Sequence, residues 1–160
     1  MKTNYLFPYR LKKISGIIFL ISFIVLTLLY FLDGFEKFPI KAKVFAIVAD
    51  YAMLGETKRF GWIEDSVTDE ILVILTIVFG IIFAFSKEKY EDEMVASVRL
   101  HSLVWATIIN YILIVLSYMF IYGMPFLTVM SAIMFSQLLI FILLFRYNIY
   151  KLNKAGADEE

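Results

Sequence analysis

The sequence predicts an all-α fold, a polytopic transmembrane four-helix bundle with a short extracytoplasmic interfacial helix. Three observations predict it. Hydrophobic residues make up 61% of the 160-residue chain and charged residues only 19%, against about 45–50% and about 25% in an ordinary soluble domain. A soluble domain of this size still exposes much of its surface, so the excess, with a mean hydropathy of +0.80, asks for lipid as solvent. Long apolar stretches alternate with polar ones, and Lys and Arg are shared unevenly among the polar ones.

Ile14 to Leu32 is an uncharged run of nineteen residues, about 28 Å as a helix and close to the hydrocarbon thickness of a bilayer. It is too long for a signal peptide and ends in Asp33-Gly34-Phe35-Glu36 without a small-residue cleavage site. A retained first span over 14–32 is expected. Ser66-Val67-Thr68-Asp69 fits a capping box, and Asp65, Asp69 and Glu70 suit a helix N-terminus. That start places the second span over 67–85. The third covers 103–122 and the fourth 126–145, with Gly123-Met124-Pro125 as a tight turn making these two an antiparallel hairpin.

In the outer loop, residues 33–66, Val44 to Leu54 is apolar on every helical face except Asp50, and Gly55 suits a C-terminal cap. Eleven residues span about 16 Å, too few to cross, so an interfacial or re-entrant helix is expected. Trp62 then lies at headgroup level.

Orientation follows the basic residues. Residues 1–13, 87–102 and 146–160 hold four, three and three, whereas residues 33–70 hold five alongside eight acids. Both termini are therefore expected in the cytoplasm, with the protein in the inner membrane. Fifteen basic against fifteen acidic residues disfavour a nucleic-acid partner, which needs a basic field. The absence of cysteine excludes disulfides, thiol catalysis and thiolate metal sites. His101 is the only histidine, too few nitrogen or sulfur ligands for a typical metal site; no metal and no cofactor are expected. Phosphate-binding glycine loops, H-E-x-x-H and G-x-S-x-G are lacking, so a catalytic set is not expected either.

The most distinctive stretch is FSKEKYEDEMVASVRLHSLVWA, residues 85–106. Lys87–Glu91 and Lys89–Glu93 stand at i,i+4, which favours a helix running on past Phe85 before the chain reverses near 88–94. On one continuous helix Asp92, Arg99, Leu103, Asn110 and Ser117 share a face, a polar stripe leading from the cytoplasmic surface into the bilayer. The stripe is read as structural glue or a partner-binding face sooner than a conduction path, because no ionisable residue sits at mid-bilayer. Two small-residue ladders, Thr76-x3-Gly80-x3-Ala84 and Thr128-x3-Ala132-x3-Ser136, allow close helix packing, within the chain or in a homo-oligomer. Gln137 falls on a different face from Thr128 and so points to another neighbour.

The same stretch, with TDEI at the start of the second span and the Tyr122-Gly123 turn, resembles a family of small four-helix integral membrane proteins from Bacteroidota. The resemblance covers residues 44–150 and is most specific over SKEKYEDE, Arg99 and Ser102-Leu103. It implies a membrane setting and assigns no activity. The expected function is that of a non-enzymatic interaction or regulatory protein, presenting its charged cytoplasmic segment to a protein partner. A small oligomeric channel or transporter using the stripe is the alternative, and a membrane-embedded enzyme stands third.

Overall fold

The structure is a computed structural model and describes residues 6–32, 39–51 and 56–157. Its elements, in chain order, are α1 (Tyr9–Phe31), β1 (Lys41–Tyr51), β2 (Glu56–Ser66), α2 (Thr68–Ala84), α3 (Glu93–Phe120) and α4 (Met124–Ala157). Three of these helices, α1, α3 and α4, are long and apolar enough to cross a membrane. The fourth, α2, has 17 residues, about 26 Å at 1.5 Å per residue, and its only charges lie in its first turn. The chain divides into two compact units. One is Met1–Gly16 with Phe79–Glu160, the other Ile17–Val78.

The first unit is built on α3 and α4. Ile121 closes α3, with its N–H returning to the Ser117 carbonyl, and Gly123 adopts φ +75°, a left-handed turn that a side chain resists. Pro125 then sits in the first turn of α4, where its missing N–H costs nothing. The bonded pairs step backward along the two helices. Ser136 donates to Asn110 Oδ1, Gln137 Nε2 to Thr107 Oγ1 at 3.3 Å, and Asn148 Nδ2 to Ser102 Oγ at 3.0 Å. These helices are therefore antiparallel, as the Gly-Met-Pro turn implies. Ala106 is fully buried in their interface, and Phe141 and Phe145 stack beside it. The same unit holds the start of α1 and the end of α2. There the Phe83 ring lies so close to Gly16 that a Cβ at that glycine would meet it at 2.9 Å.

In the second unit Thr76 Oγ1, fully buried, is 3.1 Å from Ser22 Oγ and ties α2 to α1. Among the described residues of this unit the expected interfacial helix is not found. Residues 44–51 belong instead to β1, which pairs antiparallel with β2 from Lys41↔Ser66 to Tyr51↔Glu56. Leu54 and the proposed Gly55 cap lie outside the described residues. An apolar run of this length fits helix or strand equally by periodicity. The partner decides: Phe60–Ile63 supply cross-strand contacts, and Phe45 meets Trp62 edge-on at 5.6 Å. The hairpin joins α2 tightly. Ile40 N donates to Thr68 Oγ1 at 2.9 Å and Val67 N to the Ile40 carbonyl at 3.0 Å. Ser66 closes β2, and the helix starts at Thr68, later than the capping-box reading implied.

A second expectation also fails. The helix does not continue past Phe85; α2 ends at Ala84, and residues 85–92 form a non-helical loop before α3. The i,i+4 ion pairs are worth only a few tenths of a kcal/mol each. Glu91 finds a stronger partner in Arg99, and Asp92 starts a new helix by accepting from Val95 N at 2.7 Å.

Candidate functional site

Residues 85–92 gather the charged groups of the first unit. The loop is anchored by backbone first. Phe7 N donates to the Phe85 carbonyl and Lys87 N to the Phe7 carbonyl, both at 3.0 Å, so the chain before α1 pairs with the loop as a one-rung parallel bridge. Ser86 is fully buried, and its hydroxyl returns 2.5 Å to the Ile82 carbonyl, closing the last turn of α2.

Two buried ion pairs then hold the loop from either side. Arg99, 4% exposed on α3, grips Glu91 through both terminal nitrogens, Nη1 at 2.5 Å and Nη2 at 3.1 Å. This two-toothed geometry gives Arg its advantage over Lys. Nη2 also reaches the Ser86 carbonyl at 3.5 Å, and the guanidinium lies 4.9 Å over the Phe145 ring. Lys12, 5% exposed in the first turn of α1, pairs with Glu88. The Glu88 N–H donates to Glu91 Oε2 at 2.9 Å, which links the two pairs into one network.

Partial burial pushes the Glu91 carboxyl up. The Arg99 hydrogen bond, the Glu88 N–H and the charge of Arg99 outweigh this, and Glu91 is held below its ordinary value of 4.5. Burying such a pair costs desolvation of both ions, so the network acts as a pinning device sooner than as a source of surplus stability. Arg99 Nε is buried and, among the described residues, has no hydrogen-bond partner.

The stripe expected along the third span is only partly assembled. Arg99, Asn110 and Ser117 do share a buried face of α3 with Val95, Ser102 and Ala106. Asp92 is exposed at the cap and does not meet Arg99; Glu91, one residue earlier, takes that place. Asn110 is joined to Ser136 on α4, whereas Ser117 bonds the Leu113 carbonyl of its own helix at 2.7 Å. Gln137 faces the same helix as Ser136, so it does not select a different neighbour.

Of the two ladders, Thr76, Gly80 and Ala84 are all buried. Thr128 and Ala132 stand exposed, and only Ser136 turns toward α3. His101 is exposed, its ring edge-on to Trp105 at 6.3 Å.

Sequence reading singled out Arg99 but missed Glu91 as its partner, and missed Lys12, Glu88 and Phe7 altogether. Lys12 and Glu88 are 76 positions apart, beyond any local spacing rule. A recess beside the network is lined by Lys12, Phe83, Ala84, Ile142, Phe145 and Arg146. The Arg146 guanidinium lies 5.1 Å over the Phe83 ring. Compared with protein-family models, with curated proteins and with solved structures, the chain finds no match in any of the three.

Proposed function

We propose that this is a four-span inner-membrane protein with both termini cytoplasmic, a non-enzymatic interaction or regulatory protein that presents residues 85–102 to a protein partner. One observation carries the reading. The loop spends Glu88, Glu91, Arg99 and Lys12 on holding its own shape, and leaves Lys87, Lys89 and Tyr90 exposed. A surface that recognises a partner gains from being preorganised, because less ordering is needed on binding. Exposed Met94, Leu100 and His101 continue that surface along α3.

The four-span reading is supported by how the helix ends meet. The start of α1, the end of α2 and the start of α3 lie together in one unit, as expected if successive helices cross in alternate directions. Basic residues concentrate at this end, which supports an inside location for it by the positive-inside rule. The polar stripe supports packing over conduction, since Arg99, Asn110 and Ser117 all have hydrogen-bond partners within the chain.

The test is photocrosslinking in native membranes, with the crosslinker placed at Lys87, Lys89 or Tyr90. A discrete adduct that disappears in Lys87→Glu/Lys89→Glu is expected. No adduct at any position, together with ion flux from liposomes holding the pure protein, would replace this reading with the channel. Arg99→Ala is a poor probe here, because it dismantles the loop itself.

A further inference from the structure

Side chains alternate across the strand pair β1–β2, and the face carrying the larger apolar groups is the uncovered one. Phe45, Ile47 and Trp62 share that face, because Phe45 stands opposite Trp62 and residues two apart point the same way. All three are exposed, and so is Phe60, which falls opposite Ile47 in the same register. On the reverse face Ala42, Val44, Ala46 and Ile63 are half-buried. Phe60 adds a second observation. Its φ is +53°, a conformation that glycine takes freely and a side chain resists. A strained residue displaying its ring points to something the ring touches.

What it touches follows from where the strands are tied. β1 and β2 lie between α1, which is long and apolar enough to cross a membrane, and α2. Backbone and hydroxyl bonds stitch their base to α2, since Val67 N donates to the Ile40 carbonyl and Ile40 N to Thr68 Oγ1. Trp62 precedes Val67 by five residues, about 17 Å of extended chain, so the patch stays within reach of the bilayer that α2 enters. Lipid is then the apolar phase held at high effective concentration beside it. Charge gives no competing instruction. Residues 41–66 hold four basic and four acidic residues, and Lys43 pairs with Glu64 on the same face. Trp and Phe next to charged neighbours are the composition of a membrane–water interface.

We infer that the β1–β2 pair docks on the leaflet in which α2 begins, with Phe45, Ile47, Phe60 and Trp62 buried at the headgroup–acyl boundary. The partner is the lipid surface, met through its apolar layer and not through a charged headgroup. This rests on α1 and α2 crossing a bilayer, as in the reading above, and holds whichever side is cytoplasmic.

The two tryptophans of the chain make the test direct. In the full chain in phosphatidylcholine liposomes, Trp105→Phe leaves Trp62 as the only indole, and Trp62→Phe leaves Trp105 on α3 as the reference. Lipids brominated at shallow and deep acyl positions place Trp62 roughly 5–10 Å into the leaflet, and iodide on both sides of the membrane quenches it little. Phe60→Gly combined with Ile47→Glu lowers the docked-to-free ratio about a hundred-fold and abolishes lipid quenching of Trp62. Amide exchange across 41–51 and 56–66 checks that the strands stay paired. Val48→Glu, the same charge on the reverse face, keeps the quenching, and so does exchanging half of the lipid for phosphatidylglycerol. Trp62 quenched by iodide and not by lipid overturns the inference; the membrane reading stands if lipid still quenches Trp105 and falls with it if not. Trp62 shielded from both quenchers puts protein on the patch and overturns the lipid assignment. An equal loss in Val48→Glu overturns the choice of face, and quenching that rises with phosphatidylglycerol overturns apolar docking.

Discussion

The loop 85–92 and the β-hairpin 41–66 both connect membrane-length segments, and they are stabilised in opposite ways. The loop turns its charges inward: Glu88 and Glu91 meet Lys12 and Arg99, and each of these four side chains is mostly buried. The hairpin turns large apolar side chains outward. Phe45, Ile47, Phe60 and Trp62 are all exposed, Trp62 at 73% and Phe60 at 72%. Its ion pair Lys43–Glu64, at 3.6 Å, is open to solvent and contributes little. Long-range buried partners specify the loop. The hairpin depends on its own ladder and on its junction with Thr68. The teaching point is that burial, not charge content, decides whether an ionic residue determines structure.

The largest expected effect tests the loop. Arg99→Ala leaves Glu91 without its guanidinium partner and should cost about 3 kcal/mol, the scale for breaking a buried pair. Thermal unfolding in micelles and protease cleavage within 85–92 would both report it. A melting temperature equal to wild type would mean that backbone bonds alone hold the loop.

Acid provides a milder version of the same break. Because Glu91 titrates below its ordinary 4.5 in the folded protein, its contribution is complete above that value and is lost as pH falls through the lower folded pKa. Protease sensitivity of the loop should therefore rise only below about pH 4.5. A rise near neutral pH would assign the effect to another group.

The smallest expected effect tests the hairpin, and its sign is reversed. Phe60 has φ +53°, a left-handed conformation costing about 1–2 kcal/mol for a residue with a side chain. It also interrupts the ladder, since pairing passes from Ala46↔Gly61 to Val48↔Arg59 without a shift in register. Phe60→Gly should relieve that strain and slow amide exchange across 41–66 by up to about five-fold, equivalent to ~1 kcal/mol. Faster exchange would show that the exposed ring stabilises the hairpin more than its backbone strain destabilises it.

The helices were legible because lipid imposes a simple rule: a long uncharged run must satisfy its backbone internally. Ile14–Leu32 and the Gly-Met-Pro turn needed nothing further. Val44–Leu54 misled because it is apolar on nearly every helical face, which removes the periodicity that separates helix from strand. Its β-branched and aromatic content, facing an equally long segment that contains Phe60, Trp62 and Ile63, was the available signal. At the charged pole Arg99 stood out as an isolated cation near a span. Its partner did not, since i,i+4 arithmetic assumes one unbroken helix and the chain breaks at Asp92.

By itself, then, the sequence determined the solvent, the apolar segments, the turn between the last two helices and the uneven distribution of basic residues. These follow from local composition and from the cost of placing charge in lipid. Only the tertiary structure decided that 41–51 pairs with 56–66 as strands, that Glu91 and not Asp92 holds Arg99, and that Lys12 reaches Glu88. Strand pairing and ion pairing depend on which distant residues arrive together, and such partners are fixed by packing, not by spacing along the chain.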